Sequence, residues 1–203
     1  MHYALLLQVH PDIIRNARMK MLVKCHSCMV SKFHALLLQV HPGRDAAAPL
    51  AIIRELKAGG ADLSRVVMCH MDRTVFTQEG ALEIARTGCY MEYDLFGNYV
   101  SGFYPHNPEV DLPNDAGRIA WLRWLCSEGY REKLLVAQDI CFRHRLTKYG
   151  GHGYHYILAE IVPRMLTRGL TQEDITAMLV ENPRAVLTFG RSEPGWGQQS
   201  SSL

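Results

Sequence analysis

Short apolar runs alternating with amphipathic stretches constrain this chain more tightly than any other feature of its sequence. The runs at residues 35–40, 66–69, 90–93 and 134–137 are each too short for a helix of ordinary length and are almost wholly apolar. Strands buried on both faces read this way, and such strands belong to parallel sheets covered by helices. The stretches between them carry helix punctuation. Pro49 opens one, with Leu50, Ile53 and Leu56 on a common face and Gly59-Gly60 as its stop. Thr77 caps a second, which contains Leu82, Ile84 and Ala85 and stops at Gly88. Asn114 or Asp115 caps a third, with Ile119, Leu122 and Leu125 or Cys126 inward and Gly129 at its end. A helical repeat follows at Ile157, Leu158, Ile161, Val162, Met165 and Leu166, and Pro163 inside it predicts a kink or a shortened helix. Thr171 opens a last helix with an acidic first turn. Strand–helix repeated four times predicts an α/β fold with a parallel sheet; the pattern alone leaves a barrel and an open doubly wound sheet both standing.

Ionisable residues gather at one end of these predicted strands. His41, His70, Asp94 and Asp139 each lie at or within a few residues of a strand's C-terminal end. In a (β/α)8 barrel those ends share one face, and the active site is built there. Two imidazoles and a carboxylate suit a divalent cation such as zinc, with water in the open positions. The cation would lower the pKa of that water from about 15.7 toward about 7. Asp139 could then hold the nucleophile and take its proton. Asp94, in Asp94-Leu95-Phe96-Gly97, is also good turn chemistry, and Arg73, His144, His152 and His155 fall in loops on the same face.

At these positions the local motifs become specific. His41-Pro42-Gly43-Arg44, Cys69-His70-Met71-Asp72-Arg73-Thr74, Met91-Glu92-Tyr93-Asp94-Leu95-Phe96-Gly97 and Gln138-Asp139-Ile140 resemble the ends of strands five to eight in the phosphotriesterase family of the amidohydrolase superfamily. His144-Arg145-Leu146, Lys148-Tyr149-Gly150-Gly151-His152-Gly153-Tyr154 and the closing Asn182-Pro183-Arg184-Ala185 extend the likeness, which runs over about residues 35–189. The resemblance implies a partial (β/α)8 barrel, roughly strands five to eight with their helices. It implies His41, His70 and Asp139 as metal ligands, with Asp139 also the catalytic carboxylate. It further implies a metal-dependent hydrolase, usually with two zinc ions per site, that uses metal-activated water on phosphotriester, carboxylic ester, lactone or amide bonds of a small molecule. The family's first strand supplies an H-x-H pair and its fourth a bridging carboxylate. No H-x-H occurs here among ten histidines, and Lys24 lies very close before His41 for a bridging lysine, so one metal or none is also compatible with the chain.

The N-terminus departs from the family. Residues 4–11 repeat residues 35–42 letter for letter as ALLLQVHP, so that His10 copies His41. The expected organisation is an atypical segment over 1–34, the hydrolase half barrel over 35–189, and a disordered Ser-, Gly- and Gln-rich tail over 190–203. A half barrel leaves strand edges and apolar surface open, which favours self-association. The alternative reading is therefore a catalytically inactive, truncated half barrel that acts by associating with another chain.

Composition excludes some partners. The net charge of +2 argues against nucleic acid and anionic membranes as partners. No apolar run approaches the roughly 20 residues that span a bilayer, and no signal peptide is read at the start. Six dispersed cysteines do not form a disulfide framework, and Cys25-His26-Ser27-Cys28 lacks the second pair of a structural zinc site. The expected setting is cytoplasmic.

Overall fold

In this computed structural model, residues 5–8 (backbone), 37–98 and 111–188 are described. Five parallel strands form one sheet in chain order: β1 (Leu5–Gln8), β2 (Leu38–His41), β3 (Val66–Met68), β4 (Tyr90–Tyr93) and β5 (Leu134–Val136). The sequence pattern predicts the last four within a few residues at either end. It leaves β1 unassigned, because eight residues at the start of an atypical segment offered no following helix. The two ALLLQVHP copies supply neighbouring strands. Leu5 stands opposite Leu38 rather than its sequence twin Leu36, a two-residue offset that keeps the pleats in phase. Cys25, Cys28, Lys24, His10, the loop at 99–110 and the tail from 189 lie outside the described residues.

Pleating divides the sheet into two faces. Leu38, Val40, Val66, Met68, Met91, Tyr93 and Leu134 pack on one side with helix residues Ile52, Ile53, Leu56, Ile84, Ile119, Leu122 and Leu125. These helix residues belong to α1 (Ala48–Ala58), α3 (Gln78–Ala85) and α4 (Asp115–Ser127). On the other face Val67, Cys69, Tyr90 and Leu135 form a smaller cluster with Val186. The four sheet residues of that cluster are only 3–6% exposed, so the open inner face expected of a half barrel is not found at these positions. The exposed large apolar side chains, such as Tyr154, Leu158 and Leu187, sit instead on the loop and helices after β5.

Local signals explain the helix ends. Thr77 Oγ1 accepts from the Gly80 N–H and Asn114 Oδ1 from the Gly117 N–H. Gly88 and Gly129 close α3 and α4 at positive φ. Pro163 does distort its helix: a π-helical turn, Ile157–Ile161, precedes α5 (Val162–Thr167), whose first turn holds the proline. The same device recurs with Ala177–Glu181 ahead of α7 (Asn182–Leu187) and Pro183. Between them, α6 (Gln172–Thr176) opens on a reciprocal capping box between Thr171 and Asp174. Thr171→Ala removes both the hydroxyl acceptor for the Asp174 N–H and the hydroxyl donor to its carboxylate. The expected cost is about 1 kcal/mol of unfolding free energy in a urea titration.

Candidate active site

His41 is the last residue of β2, and its imidazole points toward the loop that leaves β3. His70 follows β3 directly and adopts a left-handed backbone (φ 57°, ψ 37°) before the short helix α2 (Met71–Thr74). Asp139, three positions past β5, has φ 46°. Among the described residues these two are the non-glycine positions with positive φ. Both are strand-end residues singled out by sequence, and such backbone is held only where the surroundings over-determine it. At Asp139 the restraint is visible. Arg145 donates to the carbonyls of Gln138 (2.7 Å), Asp139 (3.1 Å) and Phe96 (2.9 Å). Gln138 donates across the loop to the Gly153 carbonyl at 2.9 Å. Gly151 lets the loop fold this tightly, since a Cβ there would meet the Arg145 carbonyl carbon at 2.2 Å.

The two imidazoles meet. His41 Nδ1 and His70 Nε2 are 2.5 Å apart, with ring planes at 84°. Arg73 Nη2 lies 3.1 Å from His41 Nε2 and also donates to the Pro42 carbonyl. His70 Nδ1 lies 2.8 Å from Asp94 Oδ1, and the His70 N–H donates to Asp94 Oδ2 at 3.1 Å. A guanidinium can only donate, so hydrogen-bond logic runs one way along this chain: Arg73 to His41 Nε2, His41 Nδ1–H to His70 Nε2, His70 Nδ1–H to Asp94. His70 thus keeps Nε2 as an acceptor. Burial, and then the positive charge of Arg73, pushes the His70 imidazole down to about 2. Burial and then Arg73 lower His41 too, against the opposing pull of the Asp139 carboxylate. Both rings are neutral at pH 7, the state a metal ligand needs.

The imidazole pair fits a divalent cation in spacing, with the condition that the His41 proton leaves Nδ1 for Nε2, the nitrogen that Arg73 now faces. Two nitrogens bound to one tetrahedral zinc at about 2.0–2.1 Å would stand roughly 3.3 Å apart. The pair therefore needs to part by less than about 1 Å, with Asp94 already anchoring the far nitrogen of His70 as an outer partner. Asp139 contributes its charge at His41 from the mouth of β5, three strands along the sheet, but His41, His70 and Asp139 do not form a group with all ligand atoms within 4.8 Å. A group within that distance is Cys69, Glu92 and Asp94 on the inner sheet face. Its chemistry is poorer. Burial and the adjacent Glu92 and Asp94 carboxylates push the Cys69 thiol far up, so it stays protonated, and both Asp94 oxygens already serve His70.

Sequence reasoning missed the support beneath this site. Arg118, wholly buried, donates to Asp72 Oδ2 (2.7 Å), Asp115 Oδ1 (2.9 Å) and the Asn98 carbonyl (2.9 Å). The same carboxylates accept from Leu95 N–H, Gly97 N–H and the Tyr156 hydroxyl. This lattice ties α2, the loop after β4 and α4 together below His70 and Asp94. Asp72 stood in a quoted motif, but nothing in the spacing paired it with Arg118. Of the loop histidines, His144 stacks on Phe142 and His152 on Tyr156. An open cavity of about 550 Å³, lined in part by Tyr90, Glu132 and Lys133, lies at the opposite, N-terminal ends of the strands.

Parallel strands flanked by helices, with an imidazole pair at the strands' C-terminal mouth, define the class: part of a barrel-type parallel α/β scaffold. The phosphotriesterase family profile matches residues 31–187, and the chain belongs to that family. An N-acetyltaurine hydrolase from Mus musculus is 51% identical over 150 residues, which is 74% of this chain and 43% of that protein. A phosphotriesterase-related protein from Nematostella vectensis is 52% identical over 152 residues, 75% of this chain and 43% of its own length. The chain thus spans less than half the length of these curated relatives. Among solved structures, a phosphotriesterase homology protein from Escherichia coli, complexed with phosphate in its active site, superposes with a TM-score of 0.71 at 25% identity, covering 89% of this chain and 56% of that one. A resiniferatoxin-binding protein from Rhodobacter sphaeroides superposes with a TM-score of 0.77 at 24% identity, covering 89% of this chain and 48% of the other. No helix among the described residues is long and apolar enough to cross a membrane.

Proposed function

We propose that this chain carries the strand-five-to-eight half of a metal-dependent hydrolase site that cleaves the amide bond of a small N-acyl amine. The observation that carries this reading is the convergence of His41 Nδ1 and His70 Nε2, both neutral, at the mouth of the sheet. Relatives about half identical over the matched stretch and bearing the name N-acetyltaurine hydrolase support the amide over the phosphotriester, ester and lactone alternatives. His41 and His70 would hold a divalent cation, zinc by the nitrogen-rich donor set, and Asp139, which stands outside a common 4.8 Å ligand distance with the pair, would have to move in to complete the ligands. A bound cation of this kind supplies Lewis acidity and a nucleophilic water at neutral pH.

The protein's own groups do the rest. Asp94 fixes the His70 ring and its tautomer, leaving Nε2 free to ligate. Asp139, exposed to the solvent side, receives the proton released as water adds to the acyl carbon and passes it toward the departing amine. Arg145 and Gln138 keep that carboxylate's backbone in place.

The test is zinc stoichiometry of the purified full chain, read beside hydrolysis of N-acetyltaurine, an aryl ester, a lactone and a phosphotriester. About one zinc per chain, with N-acetyltaurine the preferred substrate, is the expected result. Protein that takes up no zinc under any loading condition and turns over nothing would leave the non-catalytic half barrel, acting through association with another chain, as the better description.

A further inference from the structure

We propose that the buried lattice around Arg118 binds one internal water, held between the Tyr93 hydroxyl and Asp72 Oδ1, as a second cross-link between the mouths of β3 and β4. None of these groups is an expected ligand of the cation, so the inference stands apart from the hydrolase reading.

The two carboxylates of the lattice are engaged unequally. Asp115 uses both oxygens: Oδ1 accepts from Arg118 Nη1 (2.9 Å) and the Gly97 N–H (3.0 Å), and Oδ2 accepts from the Tyr156 hydroxyl (2.7 Å). Asp72 uses one. Its Oδ2 accepts from Arg118 Nε (2.7 Å) and the Leu95 N–H (3.1 Å). Its Oδ1, fully enclosed, meets no donor among the described residues, and the Tyr93 hydroxyl is enclosed without a partner in the same way. Asp72 is 2% exposed and Tyr93 1%, so bulk solvent reaches neither side chain. An acceptor and a donor enclosed like this have given up their hydration, and native interiors almost always return a hydrogen bond for it.

The two groups are complementary and close. Asp72 already holds the N–H of Leu95, two residues past Tyr93. Burial first, and the Asp72 charge second, push the Tyr93 phenol up, so its hydroxyl keeps the proton it would donate. The two do not bond directly. A water between them accepts from the phenol and donates to the carboxylate, so that donor meets acceptor at each end. It would do for Asp72 Oδ1 what Tyr156 does directly for Asp115 Oδ2. Buried waters make about three hydrogen bonds each. Thr74 Oγ1, buried and unpaired two residues after Asp72, can supply the third. The location gives the bridge a role. Asp72 lies two residues past His70, and Tyr93 immediately precedes Asp94. The bridge therefore ties the same two strand ends as the His70–Asp94 contact and helps to hold that imidazole in place.

Tyr93→Phe in the full chain separates the alternatives by sign, because it removes a single oxygen and keeps the ring. With a water joining that oxygen to Asp72, the folding equilibrium constant from a urea titration should fall roughly fivefold. A hydroxyl that is merely enclosed would leave stability unchanged or lower than that of the phenylalanine variant, and either result overturns the proposal. A high-resolution crystal structure of the full chain gives the second readout. Density for one oxygen within hydrogen-bond reach of both Tyr93 Oη and Asp72 Oδ1 is the expected result. Direct contact between the two side chains, or no density between them, overturns the water even where Tyr93→Phe is destabilising. An unfolding midpoint that rises with potassium at constant ionic strength in the parent, but not in Tyr93→Phe, overturns it in favour of a bound cation. None of these readouts involves zinc or turnover, so the bridge and the hydrolase reading stand or fall separately.

Discussion

Arg118→Leu is expected to destabilise the fold by about 3–5 kcal/mol. The guanidinium is wholly buried and spans two carboxylates, Asp72 and Asp115, that are themselves almost completely enclosed. Burial pushes the Asp72 carboxyl above its ordinary range, and Arg118 is the charge that opposes this. Without the arginine, two enclosed carboxylates face each other's surroundings with no cation between them, and each must either take up a proton or unfold its neighbourhood. Leucine replaces the aliphatic stem but none of the three donated hydrogen bonds. A urea titration should show the midpoint falling with little change in slope. The double variant Asp72→Asn with Arg118→Leu should recover part of the loss, because it removes a stranded charge along with its partner. A single variant within about 1 kcal/mol of the parent would mean that the lattice does not hold the loop after β4.

That lattice marks the limit of what the sequence discloses. Strand positions were legible because a buried parallel strand tends to be an apolar run, and the predicted runs overlap β2 to β5 although Gln39, His41 and Glu92 interrupt them. Helix ends were legible because Thr77, Asn114 and Thr171 satisfy otherwise orphaned N–H groups through contacts only a few residues long. Pro163 announced a distortion, although the form it takes, a π-helical turn on its N-terminal side, depends on packing as well as on the missing N–H. The imidazole pair was foreseeable from a rule of topology, since C-terminal strand ends meet on one face. The pairing of Asp72 with Arg118 spans forty-six positions and obeys no periodicity. Asp94 was read as turn chemistry as much as site chemistry, and only its two bonds to His70 reveal its part. Strand β1 shows the opposite failure. It lies in the same eight-residue repeat as β2, yet with no helix pattern after it the alternation rule passed over it.

Asp94 also carries the second large effect, because it would act on a bound metal through another residue. His70→Ala removes one of two converging nitrogens and is expected to abolish zinc uptake by the full chain. Asp94→Asn leaves every expected ligand in place. It replaces a carboxylate that takes the His70 Nδ1–H and the His70 backbone N–H with an amide that can accept only one of the two. The amide's own N–H groups then confront a donor, and the ring loses the partner that fixed its tautomer with Nε2 as acceptor. Outer partners of this kind are worth about 10–100-fold in metal affinity, so Asp94→Asn should fall by that factor and not to zero. A competition titration against a zinc-binding dye reads the difference directly, without relying on turnover. Cobalt in place of zinc adds a spectroscopic check, since a swivelled imidazole alters the visible bands of a tetrahedral site. Should Asp94→Asn bind zinc as tightly as the parent while His70→Ala does not, the carboxylate is merely filling a buried corner, and the orientation of His70 has to come from Arg73 and His41 on the other side of the ring.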